Sequence, residues 1–327
     1  MSSVTELTIP FRLPTDPATL EMRRETLITG QVASLNSNLI FERHCELAGL
    51  HWALGEPEAA LENLGRALRW ANENNMVEPI GYLLSLQSAT LCYIGQYAAA
   101  HELFIQAEAI LRRSDDELGV AWAQHLMARE YHLDLDNFMQ TLRQAAAVAP
   151  VFRAHSIWHA YAESLLAQAN AALGLGELRR ATEALRQADG LITERNLAWL
   201  IPEAHWLRGR IALAEGAPRL AARHCYSGLN AINSGGDLRM LVPIYVTLGK
   251  ALELDRSQLS AAQDAFERAL MASKGRARSL HVAQAYHAAG LHLRRYSQRL
   301  TVRARASGYL YEAERRYKVL DLPMPEA

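Results

Sequence analysis

The side chains that could do chemistry in this 327-residue chain are few and scattered. His155 and His159 stand four apart, the spacing at which one helical face offers two zinc ligands, but no third ligand follows nearby and no HExxH motif occurs. His281, His287 and His292 fall at steps of six and five, which do not share one helical face. GxSxG, Walker A and GxGxxG are absent, and the carboxylates are spread as solubilising charge, so no catalytic residue, cofactor or metal is expected. One recurrent set is different. Arg129, Asn170, Arg210 and Lys250 follow one another at steps of 41, 40 and 40 residues. Donors at matching positions of stacked elements, about 8–10 Å apart, would form a row suited to an acidic or carboxylate-bearing ligand.

That spacing belongs to a longer internal repeat. Small residues recur at Ala60, Ala100, Thr141, Ala181, Ala221, Ala262 and Ala306. Four residues on come Leu64, Phe104, Ala145, Leu185, Cys225, Phe266 and Leu310, and three further Ala67, Ala107, Val148, Ala188, Gly228, Ala269 and Ala313. Steps of four and three are one helical face. A second apolar-periodic stretch precedes each of these, as in residues 41–54, 80–94 and 201–215, with Gly55, Gly95, Gly176 or Gly216 between the two. Each unit therefore predicts a helical hairpin whose turn uses a left-handed glycine. One hairpin leaves an apolar face uncovered, so stacking must supply the core.

Composition agrees. Half the residues are hydrophobic, 21% are charged and the net charge is −1, which excludes a disordered chain, and no apolar run approaches a membrane span. Residues 241–252 (LVPIYVTLGKAL) are β-branched, yet Gly249 sits in helical register, and register decides for helix. The third unit carries Leu135 where glycine is expected and ends at Pro150, predicting a short or displaced second helix. The expected layout is a tail over 1–16, a capping helix over 17–40, an array over 41–320 and a tail over 321–327. The array divides at about 41–80, 81–120, 121–161, 162–201, 202–241, 242–281 and 282–320.

The pattern of glycine, small residue, large residue and alanine resembles the tetratricopeptide repeat (TPR) family. Its period near 40 is similar to the long-helix arrays of bacterial regulators of the MalT and Rap type. The nucleotide-binding and DNA-binding parts of the MalT type have no counterpart here. The resemblance implies an all-α fold, a right-handed α-α superhelix of about seven helical hairpins, whose first helices line a concave groove for a protein, peptide or effector. On that implication the groove would carry Arg129, Asn170, Arg210 and Lys250 beside Trp122, His125, Trp206, Tyr82 and Trp52, since aromatics beside arginine make binding hot spots.

Charge is uneven along the chain. Lys274 to Lys318 holds a net of +9, including Arg294, Arg295, Arg299, Arg303 and Arg305, whereas residues 1–273 sum to −8. Opposite ends could self-associate or dock an acidic protein; nucleic acid is not the expected partner. The three cysteines, Cys45, Cys92 and Cys225, are odd in number and far apart, which fits a reducing cytoplasm. The expected function is a non-catalytic protein-binding adaptor or regulatory scaffold. A sensor of a small anionic ligand or peptide is the alternative, and a structural subunit of a larger enzyme or filament assembly carries less weight.

Overall fold

The computed structural model describes residues 17–29, 37–235, 237–274, 278–296 and 300–326. The expected tail over 1–16 and residues 30–36 of the capping helix expected over 17–40 lie outside them, and 37–40 belong to the following helix. Among the described residues there are fifteen α-helices and no strand. The chain divides into two compact units, residues 1–175 and 176–327. The first holds α1 (Pro17–Thr29), α2 (Ser37–Ala53), α3 (Pro57–Glu73), α4 (Val77–Ile94), α5 (Tyr97–Arg113), α6 (Glu117–Leu126), α7 (Phe138–Ala154) and α8 (Trp158–Gly174). The second holds α9 (Leu178–Glu194), α10 (Ile201–Ala214), α11 (Pro218–Asn233), α12 (Leu241–Glu253), α13 (Leu259–Ala272), α14 (Ser279–Tyr296) and α15 (Leu300–Val319).

Consecutive helices pack as hairpins, α2 on α3, α4 on α5 and α6 on α7 in the first unit, then α10 on α11, α12 on α13 and α14 on α15 in the second. The repeat positions form the seam. Ala60, Ala100, Thr141, Ala181, Ala221, Ala262 and Ala306 are all buried, as are Leu64, Phe104, Leu185, Cys225 and Phe266 one turn on. The small residue admits the opposing backbone and the large one fills the next gap. Residues 241–253, β-branched as they are, form α12.

Punctuation is doubled. The turns inside hairpins use left-handed glycines, Gly55, Gly95 and Gly216, Gly176 before α9 is left-handed too, and the turns between hairpins use Asn75, Asp115, Ser156 and Asn196 in the same conformation. Short polar side chains tolerate that region better than most, and they recur at the same 40-residue period.

Several expectations are corrected. In the third unit the left-handed residue is Asp136 (φ 53), not Leu135. The shift arises because the first helix of that hairpin ends in a π-helical turn, Met127–His132, which absorbs one extra residue. Its second helix is full length, since α7 runs through Pro150 to Ala154. Pro150 and Ala146 are both exposed, so the Ala146 carbonyl, which loses its amide partner, faces water. His155 ends α7 and His159 lies in α8, beyond the left-handed Ser156, so their spacing of four is not a helical turn. An extra residue in the α12–α13 turn also moves the register. Gly209, Gly249 and Gly290 oppose Cys225, Phe266 and Leu310, so these three glycines occupy one repeat position.

Candidate functional site

In the first unit Tyr82 on α4 donates from its hydroxyl to Asp116 at 2.5 Å, and Asp116 accepts the Gly119 amide at 2.8 Å as the N-cap of α6. This ties α6 in place. Its end carries His125, wholly buried, with Nε2 at 3.1 Å from Glu163 Oε2 and Nδ1 at 3.0 Å from Ser164 Oγ, both on α8. The π-helical turn then brings Arg129 to α8, where Nη1 donates to the Glu163 carbonyl at 3.4 Å. Burial alone would raise the Glu163 pKa, but the Arg129 guanidinium, the His125 hydrogen bond and the nearby His159 hold it well below the ordinary carboxylate range. A positive side chain beside a half-buried, ionised carboxylate is thus what the first unit presents.

Sequence reading missed Glu163. Its partners lie 34 and 38 residues away, so no local spacing marks it. Asn170 is half-buried on the same helix. The aromatic residues assigned to the groove sit elsewhere: Trp52 meets Tyr93 edge-on at 5.2 Å, and Trp122 packs on Phe152 at 6.0 Å and His125 at 5.7 Å. Trp52, Tyr82, Trp122 and His125 are no more than 6% exposed, so they are interior packing, and a partner cannot reach them. Hydrophobic size and exposure look alike in a sequence.

In the second unit the first helices α10, α12 and α14 pack side by side. Trp206 is partly buried, donates its indole N–H to Thr247 on α12 at 3.0 Å and carries Arg210 over its ring at 4.7 Å. Lys250 is exposed, yet desolvation by its surroundings and then the Arg210 charge lower its pKa, with Glu253 opposing. His281 on α14 is pushed down to about 3, by burial first and then by Arg278 and Arg210, with Asp237 opposing. Its Nδ1 is buried without a hydrogen-bond partner. His287 is lowered by burial and by Lys250 and Arg294. Cationic neighbours that add to burial in lowering these groups leave a surface receptive to an anion.

The basic end is partly engaged. Arg305 pairs with Glu267 at 2.6 Å and Arg295 lies 3.6 Å from Glu253, while Arg294 and Arg303 are exposed; Arg299 lies outside the described residues. The cysteine thiols are buried, and desolvation pushes Cys45 and Cys225 up to about 12. No described helix is long and apolar enough to cross a membrane.

No protein-family model and no curated protein matches the sequence. Solved structures do match. A Rap protein crystallised with Competence and Sporulation Factor aligns with a TM-score of 0.65 at 13% identity, over 97% of this chain and 92% of that one. Aspartyl phosphate phosphatase F from Bacillus subtilis aligns with a TM-score of 0.59 at 14% identity, over 100% of this chain and 88% of that one. At such identity the likeness is one of architecture. This chain has the TPR-like helical-repeat fold of Rap proteins, reached with a largely different set of residues.

Proposed function

We propose that the chain is a non-catalytic regulatory adaptor that holds an acidic segment of a partner protein on its first-helix surfaces. In the second unit Arg210, propped on Trp206, and Lys250 would supply the contacts; in the first unit Arg129 and Asn170 would offer a separate set. The observation that carries the reading is geometric: Arg210 is held 4.7 Å over the Trp206 ring, whose indole donates to Thr247 at 3.0 Å, and its charge, after burial, adds to the lowering of Lys250 and His281, an electrostatic part that an arriving carboxylate would relieve. The stack on Trp206 adds to it, because an arginine held in one rotamer loses less entropy on binding. The Rap protein of similar fold was crystallised in complex with Competence and Sporulation Factor, which agrees with a binding role for this architecture.

The test is affinity capture from the native host, comparing wild type with a triple reversal of Arg129, Arg210 and Lys250 to Glu. A stoichiometric protein held by the wild type and lost by the folded variant supports the reading. Equal capture by both sinks it. The second reading, a small anionic effector, rests on the buried, unpartnered Nδ1 of His281 beside Arg210. It predicts that inorganic phosphate or sulfate raises the melting temperature with no protein added, and that Arg210→Glu abolishes the rise.

A further inference from the structure

A second basic site lies away from these first-helix residues. A crevice of about 960 Å³ opens between α11 and the turn joining α12 to α13, and Trp206, Arg210 and Lys250 take no part in it. Its walls carry Arg219, Arg223, Tyr226 and Asn230 from α11 and Leu254 and Arg256 from the turn. The lone carboxylate there, Asp255, is already used. It accepts the Ser257 amide at 3.0 Å and the Ser257 hydroxyl at 2.7 Å, and lies 3.8 Å from Arg219. Among the described residues Arg223 and Arg256 have no ion pair, and both are exposed. Two large side chains with apolar surface are exposed at the same place, Tyr226 at 49% and Leu254 at 64%. Exposed leucine and tyrosine beside unpaired arginines are poor solubilising surface and good contact surface.

The geometry selects the occupant. Arg219, Arg223, Tyr226 and Asn230 follow one another at steps of four, three and four residues, so the wall presents a new side chain about every 5.5 Å along roughly 16 Å of helix. An extended peptide presents same-side residues about every 6.6–6.8 Å. Over the Arg219–Arg223 step, about 6 Å, its alternate side chains therefore run nearly in step with α11. Charge complementarity makes the first two carboxylates, opposite Arg219 and Arg223, with Arg256 closing from the other wall. An apolar residue then meets Tyr226 and Leu254. We propose that this crevice docks an extended acidic segment of a partner protein, with carboxylates at alternate positions followed by an apolar side chain.

The experiment uses the full chain carrying the triple reversal Arg129→Glu, Arg210→Glu and Lys250→Glu, so that the cations of the first-helix surfaces are silenced and the two proposals fail separately. The probe is a short fluorescein-labelled peptide of alternating glutamate and leucine, read by anisotropy against the same peptide with lysine for glutamate. The expected result is that the glutamate peptide binds, the lysine peptide does not, and adding Arg223→Glu and Arg256→Glu weakens binding by about tenfold or more at unchanged helicity. Because both arginines are exposed, the fold should tolerate the change. The proposal is overturned if the silenced chain does not bind the glutamate peptide, or if Arg223→Glu with Arg256→Glu leaves its affinity unchanged. It is equally overturned if millimolar inorganic phosphate displaces the peptide completely, which would mark a simple anion site.

Discussion

Arg210 and Trp206 lie one helical turn apart on α10, with the guanidinium 4.7 Å from the indole centre, and the same indole donates to Thr247 on α12 at 3.0 Å. One ring thus locks two first helices together and aims a cation. Trp206→Phe keeps the stacking face and removes the donor, so it should cost about 1 kcal/mol of stability and leave binding of an acidic partner within a few-fold. Trp206→Ala loses both and should weaken binding by about tenfold. Denaturant unfolding and titration with the captured partner separate the two. Equal binding by both variants would mean that the ring does not aim Arg210.

Lys250 is held in a neighbourhood that disfavours its charge, first by desolvation and then by Arg210. Lys250→Met should therefore leave stability unchanged or raise it, by less than about 1 kcal/mol, while weakening affinity for an acidic ligand. Stability lost together with affinity would show instead that Lys250 is structural.

Glu163 contributes stability through a lowered folded pKa. A depressed carboxylate contributes fully above its unfolded value, near 4.5, and loses the contribution as pH falls through the lower folded value. The wild-type melting temperature should thus drop steeply below about pH 4.5. Glu163→Gln should cost about 2–4 kcal/mol at neutral pH, because Arg129 keeps its charge beside a neutral amide, and should flatten that acid slope. Calorimetry over a pH series checks it; parallel slopes in the two proteins would remove Glu163 from the account.

Gly249 has no room for a methyl group. A Cβ there would fall 2.5 Å from Cε1 of the Phe266 ring across the α12–α13 seam. Gly249→Ala should cost about 1–3 kcal/mol, seen as a melting temperature lower by several degrees, and Phe266→Leu in the same chain should recover part of it. An unchanged melting temperature for the single variant would mean that the seam is looser than this packing implies.

Much of this fold is readable from the chain alone, because its signals are local. A glycine that must turn left-handed, a small residue and a large one four positions on are dictated within one hairpin, and Ala221, Cys225 and Gly228 show the set on α11 as plainly as any. The 41-residue step from Ala100 to Thr141 even records that one residue must be absorbed. What the chain could not disclose is where that residue goes: it enters the π-helical turn Met127–His132, from which Arg129 reaches Glu163 on α8. Likewise nothing local distinguishes Trp122, which is interior, from Trp206, which supports an arginine at the surface. Periodicity sets which face of a helix is apolar; burial, charge pairing and the shift of a pKa depend on side chains 34 to 41 residues away, and those distances exist only once the hairpins have stacked.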